Sequence, residues 1–295
     1  MGSLTGVNPP AVTVFNKMGL VDYDAMKQHA DFMIEQGVSG IAYLGTSGEF
    51  GVMTLEQKTE LIRVMTPYIN HRVNVMAGVG DTCLDNTCRL METAEEAGAD
   101  AVLAVAPYFS VYAEENIEAY YRELSRYSKL PIIIYNFPAL TGFDMTPDLV
   151  TKLAMECPNI MGIKDTVPET EHLLAMMEIK KKKPGFMVYC AYETQALELV
   201  QAGVDGFVNA TSNFAPRFTV GLFQAALVQD EEEMQKNFNN MCRASEVYQY
   251  AEPLLLAVKE AVYQKVLHRN GTEKLPGLSL STENKLKIHE ILKTI

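Results

Sequence analysis

Short apolar segments alternate with longer amphipathic segments along most of the chain. The longer segments repeat apolar residues at spacings of three and four, which is typical of helices with one buried face. The short segments are continuous apolar runs, as expected for parallel strands that are buried on both faces. The predicted strands are Ala11–Phe15, Gly40–Gly45, Val73–Gly80, Ala101–Pro107, Pro131–Tyr135, Ile160–Lys164, Phe186–Cys190 and Val204–Val208. The clearest predicted helices between them are Tyr23–Glu35, Leu55–Ile69, Asp85–Ala97 and Glu114–Tyr127.

Three predicted helices end in a similar phrase before the next strand. The phrases are EQGVSG, EAGADA and QAGVDG, with glycine at positions 37, 98 and 203. A glycine directly after a helix is typical of a left-handed cap. The repeated phrase therefore supports a regular alternation of helix and strand.

Eight strand–helix units predict an α/β fold, a closed (β/α)8 TIM barrel over residues 1–230. An open, doubly wound sheet is the alternative, although eight units would make it unusually wide. After a predicted helix at Pro216–Val228, three more helices are predicted at Glu231–Tyr250, Glu252–Leu267 and Thr282–Leu292. We expect residues 231–295 to form a helical extension packed on the barrel.

Composition narrows the classes of function. The 295 residues include 37 acidic and 25 basic side chains, a net charge of −12, which disfavours a nucleic-acid binder because such a protein needs a basic face. The five cysteines are scattered and lack zinc-ligand spacing, so free thiols are the simpler interpretation. No apolar run approaches the ~20 residues that span a bilayer, and no signal peptide is visible. We therefore expect a cytoplasmic protein that binds no membrane.

The end of the second predicted strand carries the sequence Gly45-Thr46-Ser47-Gly48-Glu49. In a (β/α)8 barrel, the chemistry lies at the carboxyl ends of the strands. Two glycines around two hydroxyl residues predict a tight turn with exposed backbone N–H groups, which suits a carboxylate or a phosphate. A simple loop without a ligand explains the same residues, so both interpretations stay open at this point.

Lys164 closes the apolar run of the sixth predicted strand, so its stem is expected to point into the barrel or its mouth. Loss of hydration lowers the pKa of a lysine, and a neutral amine can form a Schiff base with a ketone. The alternative is a lysine that reaches solvent or pairs with Asp165 or Glu169. Tyr135 ends the neighbouring strand at a similar depth, where a phenol could move the protons that this chemistry requires. Its alternative is a packed aromatic ring with a satisfied hydroxyl.

Three segments together describe a lysine-dependent aldolase for a 2-keto acid: GTSGE at 45–49, YNFPALTG at 135–142 and GIKDT at 162–166. They resemble the motifs of the N-acetylneuraminate lyase / dihydrodipicolinate synthase family of class I aldolases, and the resemblance covers nearly the whole chain. It implies a pyruvate Schiff base on Lys164 and Tyr135 as the general acid and base. Thr46 would relay protons to Tyr135.

The resemblance also implies how the substrate is held. The backbone N–H groups and the hydroxyl of Ser47 would bind the pyruvate carboxylate, and the carbonyl of Val208 would face bound pyruvate. Thr166 matches a position that contacts a hydroxyl next to the scissile bond. Glu193, with its neighbour Tyr192, is a further candidate for binding sugar-acid hydroxyls. Family members need no cofactor, and they are usually homotetramers built as dimers of dimers.

Two positions depart from the family pattern. Dihydrodipicolinate synthases carry an arginine that binds a substrate carboxylate at the position of Leu140, so that reaction is disfavoured here. Many relatives carry a tyrosine at the position of Phe109, which is passed across the dimer interface to complete a proton relay. Tyr108, Tyr112 or water would have to replace it. Tyr108 is therefore also a candidate for the substrate site.

The motifs YNFPALTG, GIKDT and SNFAP (residues 212–216) most resemble the 2-keto-3-deoxygluconate aldolase branch of the family. We therefore expect a cofactor-free aldolase that reversibly cleaves a 2-keto-3-deoxy sugar acid to pyruvate and an aldehyde. A sialic acid lyase, a dihydrodipicolinate synthase and a keto-deoxy sugar acid dehydratase are the alternatives that keep the Schiff base. A barrel that binds a keto acid without turnover is the alternative outside catalysis. A metal site is not expected, because the five histidines avoid the predicted strand ends.

Overall fold

The computed structural model describes residues 4–295 of the chain. Eight parallel strands form one sheet in the order β1-β8-β7-β6-β5-β4-β3-β2, and it curls into a nearly closed barrel. This confirms the predicted TIM-barrel fold. The strands are β1 Gly6–Val7, β2 Gly40–Tyr43, β3 Asn74–Gly78, β4 Ala101–Val105, β5 Ile132–Asn136, β6 Ile160–Asp165, β7 Met187–Cys190 and β8 Gly206–Phe207.

The position predicted for the first strand is wrong. The structure has β1 at Gly6–Val7 rather than at Ala11–Phe15, because two prolines follow β1 and cannot donate to a regular strand ladder. The chain still closes the barrel there. The amide of Ala42 in β2 donates to the carbonyl of Pro9 (2.9 Å), and the amide of Ala11 donates to the carbonyl of Ala42 (2.9 Å). The apolar run at 11–15 is buried in the core beyond this point.

The first and last strands approach unusually closely where the barrel closes. Gly6 pairs with Gly206, and a Cβ atom built on Gly206 would lie 2.0 Å from the carbonyl oxygen of Gly6. Gly6 also has a φ of 103°, in a region that side-chain-bearing residues rarely adopt. Closure of the barrel therefore depends on two glycines.

Twelve α-helices lie among residues 4–295. They are α1 Tyr23–Glu35, α2 Leu55–Ile69, α3 Leu84–Ala97, α4 Glu114–Tyr127, α5 Pro138–Thr141, α6 Pro147–Glu156, α7 Thr170–Met177, α8 Ala196–Gln201, α9 Pro216–Leu227, α10 Glu231–Ser245, α11 Leu255–Val262 and α12 Thr282–Leu292. Shorter turns of helix occupy Phe50–Val52, Glu178–Lys181, Glu193–Gln195, Ala210–Asn213, Glu246–Tyr250 and Tyr263–Leu267. The glycines at 37, 98 and 203 have φ values of 85°, 83° and 86°, which confirms the predicted left-handed caps.

Buried residues form two layers. Residues such as Ala42, Met76, Leu103 and Ile133 fill the inside of the barrel. A larger cluster lies between the barrel and its helices, and it includes side chains of α10, α11 and α12. The helices beyond residue 230 thus contribute to the same apolar core as the barrel helices. Within the described part of the chain, no helix has both the length and the apolar character needed to cross a membrane.

Candidate active site

Lys164 and Tyr135 face each other inside the barrel, at the carboxyl ends of β6 and β5. The two residues are register partners in adjacent strands, and their side chains point to the same face because side chains alternate along a strand. The ammonium nitrogen of Lys164 lies 4.0 Å from the centre of the Tyr135 ring. Both side chains are buried, with 4% and 3% of their surface exposed. The structure therefore brings together the two residues on which the predicted chemistry depends.

Burial lowers the pKa of the Lys164 amine to about 7, because the low-polarity interior disfavours the charged ammonium. Within residues 4–295, no carboxylate forms an ion pair with this amine to reverse that shift. The alternative of a lysine paired with Asp165 or Glu169 is therefore not what the structure shows. The lowered pKa makes the uncharged amine accessible near neutral pH, and this form can act as a nucleophile.

A polar network behind the barrel wall fixes the two strand ends that carry Tyr135 and Lys164. The side-chain amide of Asn136 donates to Asp165 and to Asp144, both at 2.8 Å, and Asp165 also contacts His172 (Nδ1–Oδ2 2.7 Å). The Asp165 bond raises the pKa of His172. His172 lies on α7, seven positions beyond Asp165, and its ring reaches back to the end of β6 through this contact. The network locks Asn136 against Asp165, directly next to the Tyr135–Lys164 pair.

Asn136 and Asp165 support the site in a way that was not predicted from the sequence. The signal was present, because in the phrases YN and KD each catalytic candidate is followed by a polar residue at a strand end. Strand alternation places these second residues outside the barrel, so they support the site without entering it.

Thr46 contacts the phenol of Tyr135. Their hydroxyl oxygens lie 2.9 Å apart, within hydrogen-bond distance. Burial raises the pKa of Tyr135 to about 12, although the hydroxyls of Thr46 and Thr166, which face the phenol, act in the opposite direction. The Thr166 hydroxyl is buried and has no hydrogen-bond partner among the described residues. It is therefore free to bond a ligand in the site.

The turn at residues 45–49 keeps part of its backbone free for a ligand. The amides of Gly48 and Glu49 donate inside the turn to the carbonyls of Gly45 and Thr46 (both 3.0 Å). Within residues 4–295, the amides of Thr46 and Ser47 donate to no protein acceptor. Two adjacent free N–H groups in a tight turn are suited to an anion such as a carboxylate. Ser47 itself is buried.

Val208 lies in the same interior cluster as Tyr135, at the end of β8. Its amide donates to the carbonyl of Cys190 (2.9 Å), while its own carbonyl accepts no hydrogen bond within the described chain. Tyr108 lies at the rim, where its ring contacts Phe50 edge-on with centroids 5.8 Å apart. Tyr108 thus lines the same cavity as Tyr135, and Val208 packs in the interior cluster that includes Tyr135.

Glu193 is placed differently. One oxygen of its carboxylate accepts hydrogen bonds from the hydroxyls of Tyr248 (2.6 Å) and Thr211 (2.9 Å) and from the side-chain amide of Asn209 (3.2 Å). Tyr248 lies beyond the barrel, just after α10. This set of protein donors fits a role in attaching that region to the barrel better than contact with a substrate.

A cavity of about 440 Å³ opens above Thr46 and Tyr135. Its outer wall is mostly apolar and comes from the loop after β5 and from the region beyond residue 250, including Leu140, Leu256 and Leu278. Phe109 does not enter it. Phe109 is 97% exposed and has a φ of 77°, so its ring extends into solvent. Among the described residues, the hydroxyl chain therefore runs from Tyr135 to Thr46 and ends there.

A parallel barrel with a buried lysine, a phenol and a turn suited to an anion at its mouth is the arrangement expected of barrel lyases that form a Schiff base. Comparison with known proteins gives the particular family. The sequence model of the "Dihydrodipicolinate synthetase family" matches residues 3–295, and the chain belongs to that family. It is accordingly a lyase of the aldolase type.

Individual relatives agree with this assignment. The chain is 36% identical over 293 residues to the "Probable 2-dehydro-3-deoxy-D-pentonate aldolase YjhH" of Escherichia coli K12, covering 99% of this chain and 97% of that protein. It is 29% identical over 300 residues to the 4-hydroxy-tetrahydrodipicolinate synthase of Methanocaldococcus jannaschii, with 98% of each covered. The crystal structure of YagE from E. coli K12 in complex with pyruvate superposes with a TM-score of 0.95 at 32% identity, covering 99% of both chains.

Replacement of Lys164 by methionine is expected to stabilise the protein by on the order of 4 kcal/mol at neutral pH, because it removes a buried amine that has no counter-ion among residues 4–295. The pKa of Lys164 falls from its ordinary 10.5 to about 7 on folding. The loss in free energy of unfolding that the Lys164 amine causes is therefore absent above pH 10.5. It grows as the pH falls towards 7 and is constant below that. Denaturant unfolding at several pH values measures the difference. Lys182→Met, at an exposed position, is the control and should change little. A Lys164→Met protein that is less stable than the wild type at every pH would contradict the prediction.

Proposed function

We propose that the protein is a cofactor-free class I aldolase that reversibly cleaves a 2-keto-3-deoxy sugar acid to pyruvate and an aldehyde. The observation that carries the proposal is the buried amine of Lys164, 4.0 Å from the ring of Tyr135, with a pKa of about 7. The aldolase name of the relative YjhH and the pyruvate complex of YagE support the substrate class.

The chemistry starts at the keto carbon of the substrate. The uncharged Lys164 amine attacks this carbon. Tyr135 donates one proton to the oxygen and the attacking nitrogen gives up a second, so the oxygen leaves as water and a protonated imine and the Tyr135 phenolate remain. The protonated imine then accepts the electron pair of the breaking bond between carbons 3 and 4. Tyr135, now a phenolate, takes the proton of the hydroxyl on carbon 4, and the aldehyde is released. Protonation of the resulting enamine and hydrolysis of the imine give pyruvate and free Lys164.

Thr46 assists the proton transfers through its hydrogen bond to Tyr135. Burial raises the pKa of Tyr135 to about 12, and the hydrogen bond from Thr46 acts against this rise because it stabilises the phenolate that forms during the reaction. Thr166 binds the hydroxyl on carbon 4. This role is supported by its own hydroxyl, which faces the phenol and has no hydrogen-bond partner among residues 4–295.

The substrate carboxylate binds at the turn, through the free amides of Thr46 and Ser47 and the hydroxyl of Ser47. The protein as a whole carries a net charge of −12, so this local set of donors supplies the attraction that the overall charge does not. The free carbonyl of Val208 faces the carbon next to the imine. Tyr108 borders the outer part of the substrate.

Leu140 favours this reaction over dihydrodipicolinate synthesis. It lies at the cavity mouth and is 58% exposed. A leucine there offers no hydrogen-bond donor to the carboxylate of aspartate semialdehyde. The hydroxyaldehydes released from sugar acids carry no such charge and do not need one.

We also propose that the protein is a cytoplasmic homotetramer, a dimer of dimers. The exposure of Phe109 (97%) and Val111 (77%) beside the site supports a subunit contact there, because adjacent apolar side chains of this size are commonly covered in an assembly.

Trapping with pyruvate and borohydride tests the proposed function. The wild type is expected to form a reduced pyruvate adduct on Lys164, located by peptide mass spectrometry. Lys164→Ala should form none, whereas Lys182→Ala should react like the wild type. An adduct that persists in Lys164→Ala would refute the assignment of the imine.

An aldehyde panel separates the alternatives. With pyruvate, the enzyme should turn over short hydroxyaldehydes in preference to aspartate semialdehyde and N-acetylmannosamine. Efficient use of aspartate semialdehyde would overturn the interpretation of Leu140. Trapping of pyruvate without turnover of any aldehyde or sugar acid would instead indicate a keto-acid-binding barrel.

Removing the phenol or its hydroxyl partner is expected to slow catalysis without preventing pyruvate binding. Tyr135→Phe should lower kcat by about 10²–10⁴-fold, because general acid–base catalysis is lost, and Thr46→Val should have a smaller effect in the same direction. Steady-state cleavage assays measure both. Tyr127→Phe, far from the site on the surface, is the matched control. Wild-type activity in Tyr135→Phe would exclude the phenol as the proton carrier.

A further inference from the structure

A buried group of three charged side chains lies behind the anion-binding turn. Lys259 of α11 is fully buried, and its ammonium lies 2.5 Å from a carboxylate oxygen of Glu49 and 2.8 Å from one of Glu273. We infer that Glu49, Lys259 and Glu273 form a positioning unit that holds the turn at 45–49 in its anion-binding shape. The inference rests on the proposed function for the identity of the anion, the carboxylate of pyruvate.

The backbone of Glu49 needs such support. Its φ of 56° lies in the left-handed region, which a residue with a side chain keeps only when the surrounding structure holds it there. Glu49 is also the last residue of the turn, and its amide donates to the carbonyl of Thr46. Movement of Glu49 would therefore displace the two free amides that precede it.

Electrostatics give Lys259 a second effect on the turn. Burial raises the pKa of Glu49, and the nearby Lys259 opposes this and favours the carboxylate. Without Lys259, two buried carboxylates would lie behind a site that has to bind an anion. Like charges at such distances repel strongly in a low-polarity interior. The positive charge of Lys259 thus offsets the two carboxylates and reduces their repulsion of a carboxylate ligand.

The region beyond residue 250 supplies both the anchor and part of the cavity wall. Glu49 and Lys259 are 210 positions apart in the sequence, so the bond ties this region to the end of β2. Directly after Glu273, Lys274 donates to the side chain of Gln57 on α2 (2.6 Å), and Leu278 lines the cavity. A buried ion pair adds little to stability when apolar packing could replace it. A role in shaping the turn accounts for its presence.

The test separates binding from chemistry. Glu49→Gln keeps the size of the side chain but weakens its bond to Lys259. Glu273→Gln weakens the contact between Lys259 and residue 273 in the same way. We expect Glu49→Gln to raise the pyruvate concentration that gives half-maximal trapping on the order of tenfold, as for loss of one charge-assisted hydrogen bond. The trapping rate at saturating pyruvate should change less than about threefold. Glu273→Gln should shift the half-saturation in the same direction.

Hydrogen exchange provides a readout that does not depend on pyruvate. In the full-length protein without ligand, Glu49→Gln should speed amide exchange in residues 44–52, while exchange in the barrel strands stays unchanged. The matched control is Lys180→Met, which breaks the ion pair with Asp205 at the opposite, amino-terminal end of β8 (2.9 Å). Its half-saturation and its exchange at 44–52 should equal those of the wild type.

The outcomes are distinct. A folded Glu49→Gln protein with wild-type half-saturation and wild-type exchange at the turn would overturn the inference, as would an equal shift in Lys180→Met. A fall in the saturating rate with unchanged half-saturation would also overturn it. If the wild type forms no pyruvate adduct, the proposed function fails and the binding part of the inference fails with it. The exchange measurement still decides whether Glu49 and Lys259 hold the turn.

Discussion

The rest of this structure depends on a buried lysine amine that has no counter-ion in the described part of the chain. Water would keep the amine charged and unreactive, whereas the barrel interior makes the neutral form accessible near pH 7. Burial of this amine lowers the free energy of unfolding. The large core of apolar residues inside and around the barrel has to offset that loss. The register between β5 and β6 then sets the amine against the phenol of Tyr135. The buried Lys164 amine thus lowers stability, and the same burial makes it able to form an imine.

The surrounding elements keep these two side chains in place. Asn136 and Asp165 bond to each other on the outer face of the same two strands, one residue beyond the reactive pair. On the other side of the mouth, Lys259 bonds to Glu49 at the end of the anion-binding turn. Tyr248 similarly joins Glu193 near the end of β7. The helices beyond residue 230 thus do more than cover the barrel, because they hold residues at the ends of its strands.

Local patterns in the sequence were enough to predict much of this arrangement. Amphipathic spacing predicted α1, α2 and α4 with the bounds that the structure has, since these helices bury one continuous face. The apolar run before Lys164 predicted that its side chain faces the interior, because strand alternation is a local property. The first strand was misplaced because an apolar run does not show which residues can join a ladder. Pro9 and Pro10 interrupt the pairing there.

Side-chain contacts between residues far apart in the chain could not be predicted from the sequence. Nothing near Glu49 indicates a partner 210 residues away, and Glu193 gives no sign that its carboxylate bonds to Tyr248 rather than to a ligand. Both depend on how the last helices pack, which a single sequence does not fix. Asp165 was weighed only as a partner of its neighbour Lys164, although adjacent residues in a strand point to opposite faces.

The most direct test of this account is a titration of the Lys164 amine in the protein without ligand. Protein labelled with ¹³C at the lysine ε-carbons gives one NMR signal for each lysine environment, and loss of a signal in Lys164→Met identifies the right one. The account predicts a midpoint near pH 7. A midpoint near 10.5, the ordinary value for lysine, would mean that the amine is charged in the folded protein, and would contradict the central claim.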